Sequence, residues 1–464
     1  MRTKTGTKEK IVAATTGRDR VTDLVKSSAL LLVIIGHSLA WNTNSNGEIT
    51  NTLETLPGLW PITWILQILP LFFYVAGTTL SKLQTTPPTA GGATGAAAPP
   101  AAVTPAAPAG AYAKRYVRLA GPAITLYLIA TIGVWLVGLY STDAAKAAGI
   151  ITIQLTWFLG VYLGIIAAAN WLSKLHTKGI LAMVAVIIAA DLARIHLAAA
   201  AGWANMFFVW ALFAALGANH KHILAASKTL RAAAAIGLLG AAAALVTYGP
   251  YSVSLITVPA LPGLSNLSPP SAVLACVGTA QILILGLLWT PLQKLISNNT
   301  AWMIVAIFAS RAMGIYIYHM TILTLAVGAT IAADIHPDAA SPAWWALHII
   351  VGAVTLTAAF WIAGPAGKLT DRLTAATAKT TRWAKTENHG TKTIKTLLSI
   401  SAISILLLSS TGVNQPLTIH KTLGLPIIPA VIIAWLLLVL GLTANTTKAG
   451  ESTNENSHQK DPPS

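Results

Sequence analysis

Two stretches of the chain pair a basic residue with a histidine at a spacing that matters in a helix. Lys26 is followed by Ser-Ser-Ala-Leu-Leu-Leu-Val-Ile-Ile-Gly and then His37, an interval apolar almost throughout. A helix rising about 1.5 Å per residue carries His37 roughly 16 Å beyond Lys26 along the axis. Further on, Arg311 precedes Tyr316, Tyr318 and His319, and by the same rise the histidine lies about 12 Å deeper. Imidazole can accept a hydroxyl proton near neutral pH, which suits general-base catalysis of group transfer. A proton pathway in a transporter would use the same group. Ionisable side chains deep in a bilayer are costly and usually line a cavity. Two spans with the same arrangement therefore point to a shared polar cavity rather than to two separate structural histidines. A third feature is Arg115 with Arg118, on one helix face at i and i+3. Paired guanidiniums suit phosphate through forked hydrogen bonds, although such pairs also fix topology and meet anionic lipid headgroups.

The elements that must position these residues are membrane helices. Of 464 residues, 55% are hydrophobic and only 9% are charged, with a mean hydropathy of +0.66; soluble domains carry about 25% charged residues. Apolar runs near 24–41, 62–82, 119–140, 148–169, 179–198, 203–218, 232–247, 272–290, 310–332, 343–364, 397–413 and 427–443 predict an all-α, polytopic transmembrane bundle of about 12 spans. No alternation of the membrane β-barrel kind is present. With the N-terminus inside, all of the 30 Lys and Arg except Lys146, Arg194 and Lys421 fall at the inner side, the positive-inside pattern with both termini cytoplasmic. The net charge of +16 is thus topogenic, and no nucleic-acid partner is expected. The basic start followed by an apolar run imitates a signal peptide, but the run is long enough to cross and many spans follow, so it reads as a retained first helix. The single cysteine, Cys276, excludes an internal disulfide framework and a multi-cysteine metal site; no metal is expected.

This reading divides the chain into a basic cytoplasmic tail (1–22), a transmembrane domain (23–366) with a Pro/Ala-rich inner loop at 84–110, a basic cytoplasmic linker (367–396), an additional hairpin (397–443) and a disordered tail (444–464). The outer segment 42–61 is polar and holds Glu48 and Glu54, and the uncharged, proline-rich outer loop 249–271 is expected to lie over the mouth of the bundle. Asp191 and Arg194 are expected to pair with each other near the outer face, and His196, His220, His222 and His348 to be interfacial or solvated.

The ordered set Arg20…Asp23-x-x-Lys26-x10-His37, then Pro-Leu-Phe72-Phe73-Tyr-Val-Ala-Gly, Arg115-x-x-Arg118-Leu…Pro122, Trp157-Phe158-Leu159 and Tyr316-x-Tyr318-His319 resembles the acyltransferase-3 family, integral membrane O-acyltransferases found mostly in bacteria. The likeness runs over about residues 20–364, and ITWILQILPLFFYVAG resembles an actinobacterial branch. The resemblance implies His37 as catalytic base or acyl relay with Lys26 as its basic partner, and Arg115 and Arg118, with Lys26, as the residues that hold acyl-CoA phosphates. It implies transfer of an acetyl or other short acyl group from cytoplasmic acyl-CoA, a substrate rather than a resident cofactor, to a hydroxyl of an envelope glycan or lipid. It places the chain, multi-pass, in a bacterial inner membrane. Arg20, Asp23, Arg311, Phe72, Phe73, Trp157, Tyr316, Tyr318 and His319 are then candidates for the cavity wall, and Glu48 and Glu54 for the acceptor side.

Departures from the family pattern include Lys26 where arginine is frequent, Ala76-Gly77 where Ser-Gly is frequent, the Pro/Ala insertion and two extra spans on a ten-helix core. The competing reading is a proton-coupled secondary transporter using His37, His319 and Asp191, against which the missing inverted repeats count. A polyprenyl-phosphate glycosyltransferase would call on Glu48 or Glu54.

Overall fold

The computed structural model describes residues 18–43, 48–80, 83, 106–381, 390–422 and 425–458. In chain order it contains α1 (Arg20–Leu39), β1 (Trp41–Thr43), β2 (Ile49–Asn51), α2 (Trp60–Leu66), α3 (Leu69–Gly77), α4 (Ala106–Gly138), α5 (Thr142–Gln154), α6 (Trp157–Ala167), α7 (Thr177–His196), α8 (Asn205–Ala218), α9 (Lys228–Tyr248), α10 (Ala272–Ser297), α11 (Asn299–Ala332), α12 (Pro342–Thr380), α13 (Thr391–Thr411), β3 (His420–Thr422), β4 (Leu425–Ile427) and α14 (Pro429–His458). Among the described residues, 12 helical stretches are long and apolar enough to cross a membrane, α2–α3 and α5–α6 each forming one. The chain is an all-α polytopic bundle. Its only strands among the described residues are two antiparallel pairs, β1 with β2 and β3 with β4.

The chain forms two compact units, Met1–Thr78 with Leu172–Gly364 and Thr79–Trp171 with Pro365–Ser464. In the first unit, α1 starts at Asp19, whose carboxylate accepts from the Val21 and Thr22 amides at 3.1 and 3.2 Å and satisfies two donors of the first turn. Arg20 donates to the Ile296 and Ser297 carbonyls, both at 3.2 Å, so the start of α1 closes the end of α10, where a cation meets the negative end of the helix dipole. Glycine sets the closest crossing. A methyl group on Gly77 would collide with the Ala214 carbonyl, and one on Gly217 with the Tyr74 carbonyl; α3 and α8 therefore touch backbone to backbone, as small residues allow in membranes.

The second span is broken. The sequence reads as one helix over 62–82, but α2 ends at Leu66, Gln67 leaves helical geometry with ψ 74°, and α3 resumes at Leu69. Irregular backbone at membrane depth persists only where protein or a water-filled cavity satisfies it. Here Gln281 donates to the Trp64 carbonyl at 3.1 Å and the Gln67 amide to the Leu255 carbonyl at 3.2 Å, while the Leu255 amide donates to Thr63 Oγ1 at 3.0 Å. The outer loop 249–271 is thus not merely a cover: Ser254, Leu255 and Asn266 are buried, and the strap reaches the middle of the second span.

Asp191 and Arg194 do not form the expected ion pair. Asp191, 2% exposed, accepts from Tyr251 Oη at 3.0 Å, Asn205 Nδ2 at 3.1 Å and the Ala272 amide at 2.6 Å. Arg194 donates to the Ser265 carbonyl at 3.0 Å. Burial, and then the Asp191 charge, push the Tyr251 phenol well above its ordinary pKa, which keeps it a donor. Asp191 is met by donors from three elements, Tyr251 in the strap, Asn205 on α8 and the amide of Ala272 at the start of α10, and Arg194 by a strap carbonyl, so each is partnered without the other.

In the second unit, helical structure extends beyond the predicted spans. The stretch read as a linker is helical as far as Thr380, and the tail read as disordered continues α14 to His458. The last two spans belong to the same unit as α4–α6. Tyr116 Oη donates to Ser401 Oγ at 3.2 Å, and Asn445 donates to the Ala378 carbonyl at 3.0 Å. A methyl on Gly160 would stand 2.8 Å from the Ala402 carbonyl. Small residues on α6 thus seat α13, which is part of the unit's core and not an appended hairpin. The N-terminal tail up to 17 and the Pro/Ala-rich stretch up to 105 lie outside the described residues.

Candidate active site

The two histidines singled out by spacing meet in the first unit. His319, 0% exposed, places Nε2 3.3 Å from His37 Nδ1, and its own Nδ1 lies 2.6 Å from the Tyr316 carbonyl. A carbonyl only accepts, so His319 Nδ1 carries the hydrogen. With both rings uncharged, His319 Nε2 is then an acceptor, His37 Nδ1 donates to it, and the lone pair of His37 is left on Nε2. The relay fixes the tautomer that a general base needs. The rings lie 5.4 Å apart and tilted by 35°, a hydrogen-bonding and not a stacked arrangement.

The surroundings of His37 are narrow on both flanks. Leu66, the last residue before the helix break, lies 3.7 Å from where a Gly36 side chain would begin. Ser38 donates to the Ile34 carbonyl at 2.8 Å and lies 3.0 Å from the position of a Gly352 methyl. His37 itself is half-buried. Tyr316 is half-buried with its ring 5.8 Å from that of His319. Tyr318 is buried, and its hydroxyl has no hydrogen-bond partner.

Other candidates lie elsewhere. Arg20 closes α10, as described, and Asp23 pairs with Arg18 at 2.6 Å. Arg311 donates to the Phe360 carbonyl at 3.1 Å with its guanidinium 4.2 Å from that ring, which ties α11 to α12. Phe73 is buried against Trp210, ring centres 5.0 Å apart, while Phe72 and Lys26 are half-buried. Glu48 and Glu54 are exposed. His348, expected to be interfacial or solvated, is 2% exposed, with Nε2 2.9 Å from the Trp41 carbonyl and Nδ1 2.7 Å from that of Trp344. It anchors the β1 segment that follows α1. His220 is half-buried, with Nδ1 2.6 Å from Tyr74 Oη.

In the second unit, Arg115 is half-buried and points its two terminal nitrogens at neutral oxygens, Nη1 at Tyr162 Oη (3.4 Å) and Nη2 at Thr79 Oγ1 (3.3 Å). These partners hold the guanidinium without cancelling its charge. Arg118 is exposed one turn further along α4, and Trp157 is half-buried at the start of α6. Tyr162 and Thr79 carried no signal in the sequence: they lie 47 and 36 residues from Arg115 and only folding joins them.

A family model described as an acyltransferase domain matches residues 22–364. No curated protein and no solved structure matches significantly. The matched stretch takes in the helix of His37, the two arginines and the helix of His319, and it covers well over half of the chain, which belongs to the acyltransferase-3 family of membrane acyltransferases.

Proposed function

We propose that the protein moves an acetyl or other short acyl group from acyl-CoA to a hydroxyl of an envelope glycan or lipid, in a bacterial inner membrane, with His37 as general base. The observation that carries this reading is the His37–His319 contact, which leaves His37 Nε2 as the basic atom. The acceptor hydroxyl gives its proton to Nε2 as its oxygen bonds to the acyl carbon. The carbon–sulfur bond then breaks, and the proton passes from His37 to the departing thiolate, yielding ester and free thiol. While His37 holds the proton, its Nδ1–H bond to the neutral His319 becomes charge-assisted and stronger.

Arg115 and Arg118 supply the phosphate contacts. Arg115 is suited to this because its two protein partners are hydroxyls, leaving a full positive charge for an anion. Enclosure of His37 by helices of the first unit keeps water from a thioester bound beside it. Glu48 and Glu54, exposed on the segment after α1, are available to an acceptor arriving from the outer side.

The test uses purified protein in sealed liposomes given radiolabelled acetyl-CoA. Wild type is expected to bind acetyl-CoA and slowly release or transfer label. His37→Ala is expected to bind with unchanged affinity and lose turnover, and Arg115→Ala to bind more weakly. A folded wild type that does not bind acetyl-CoA overturns the donor assignment.

A further inference from the structure

Arg231 is the buried cation that the reading above leaves unused. It stands three residues into α9, is 7% exposed, and donates from Nη1 to the Gly286 carbonyl of α10. Its Nε–H is buried with no acceptor among the described residues. No carboxylate among the described residues lies within ion-pair distance of it. A charged group inside a membrane bundle is retained at a cost and normally has a partner. One hydrogen bond to a neutral carbonyl uses one of its five donors.

The groups around Arg231 add hydrogen-bond donors, and one carboxylate, Asp19, acts on them electrostatically. Trp289 follows Gly286 at i+3 on the same face of α10, and its ring lies 4.4 Å from that of His220. His220 Nδ1 in turn is 2.6 Å from Tyr74 Oη, and the Arg231 charge reaches that hydroxyl. Burial pushes the His220 imidazole below its ordinary pKa, so the ring is neutral near pH 7. A neutral imidazole bonded to a phenol shares two hydrogens between two groups and spends only one on their mutual bond. One donor therefore remains, whichever way the proton sits. Asp19 accepts from the Val21 and Thr22 amides through Oδ1, and its charge reaches both His220 and Tyr74.

We propose that Arg231 and the His220–Tyr74 pair form an oxyanion site that takes a phosphate group, built from residues other than Arg115 and Arg118. It lies at the end of the first unit that carries the exposed Lys221, His222 and Lys228, the side assigned to the cytoplasm by the charge distribution. A phosphate fits better than a carboxylate because it offers acceptors to a guanidinium fork and to a separate side-chain donor at once. The phosphate can belong to a soluble nucleotide thioester or to an anionic lipid headgroup, and the inference does not require that acyl-CoA be the donor.

The experiment measures binding of inorganic phosphate and of coenzyme A by calorimetry to the delipidated full-length protein. Retention of phosphatidylglycerol is read by native mass spectrometry. Wild type is compared with Arg231→Gln, Arg231→Lys and His220→Ala, each checked for elution and melting temperature. A nucleotide source predicts coenzyme A affinity falling about tenfold or more in Arg231→Gln, as expected for a lost charge-assisted contact, with a smaller loss in Arg231→Lys. A lipid source predicts unchanged coenzyme A binding and loss of retained phosphatidylglycerol in the same variants. Inorganic phosphate binding without coenzyme A binding supports the site while removing the donor assignment. Folded variants that match wild type for all three probes overturn the proposal and leave Arg231 a clasp between α9 and α10.

Discussion

Replacing His319 tests whether the histidine pair works as a unit. His319→Phe fills the space but cannot accept a hydrogen bond, and His319→Gln restores an acceptor oxygen on a side chain of similar reach. In the proposed step the contact matters most when His37 carries the extra proton. A hydrogen bond to a charged group is worth about 1.5–3 kcal/mol. At about 1.36 kcal/mol per decade of rate, the whole range corresponds to roughly 13-fold to 150-fold. The separation of 3.3 Å is long for such a bond, so the expected loss for His319→Phe sits at the lower end, about 10- to 30-fold in kcat. His37→Ala should cost about 10²- to 10⁴-fold, the usual worth of a general base. Because His319 acts only through His37, the double variant should be no slower than His37→Ala alone, and His319→Gln should recover much of the loss. The assay is single-turnover transfer of radiolabelled acyl groups, normalised to folded protein by gel filtration. Losses that multiply in the double variant would refute the relay, as would full activity in His319→Phe.

Other outcomes follow from the geometry. Arg115→Lys keeps the charge but not a fork that spans Tyr162 and Thr79, so KM for the acyl donor should rise about tenfold with little change in kcat, and Tyr162→Phe should show a fraction of that effect. Gly77→Ala puts a methyl into the Ala214 carbonyl; since backbone cannot yield as a side chain does, the cost should exceed the usual 1–3 kcal/mol or so of overpacking, read as loss of monodisperse protein. Asp191→Asn turns amide hydrogens toward the donors of Tyr251, Ala272 and Asn205, so the 249–271 strap should loosen by about 2 kcal/mol, seen as faster proteolysis within it. Truncation before α13 removes the partners of Tyr116 and Gly160 and should abolish folding of the second unit rather than yield a stable ten-span protein.

The sequence carried what depends on periodicity and depth. Apolar runs of bilayer length set the spans, and the intervals to His37 and His319 placed two imidazoles deep in separate helices. Their meeting could be inferred only from the likeness of the two stretches, since no spacing rule relates residues 282 positions apart. What stayed hidden depends on side-chain direction. Arg20 and Arg311 read as cavity residues, yet both bond backbone carbonyls of neighbouring helices. His348 and His220 read as interfacial or solvated, yet one anchors a buried turn and the other meets a tyrosine. Hydropathy also averages over breaks. Gln67 is one polar residue in an apolar run, and Pro70 suits the first turn of a resumed helix as well as a kink.

That break connects the strap to the chemistry. Gln281 meets the Trp64 carbonyl beside the break, and the Leu255 segment bonds the Thr63 and Gln67 side chains at mid-depth. With the interruption at Gln67, backbone and side-chain groups of the span must be met from outside it, and the strap and α10 meet them. Leu66, which ends α2, is the residue packed beside Gly36, directly before His37. The local cost of breaking a membrane helix is thus accepted next to the residue that the proposed reaction uses as its base. Asp191 holds the same strap through Tyr251 near its start and through the amide of Ala272, which follows its end. Strap, break and base form one connected set within the first unit, so a change at Asp191 should reach His37 through packed groups rather than through any direct contact.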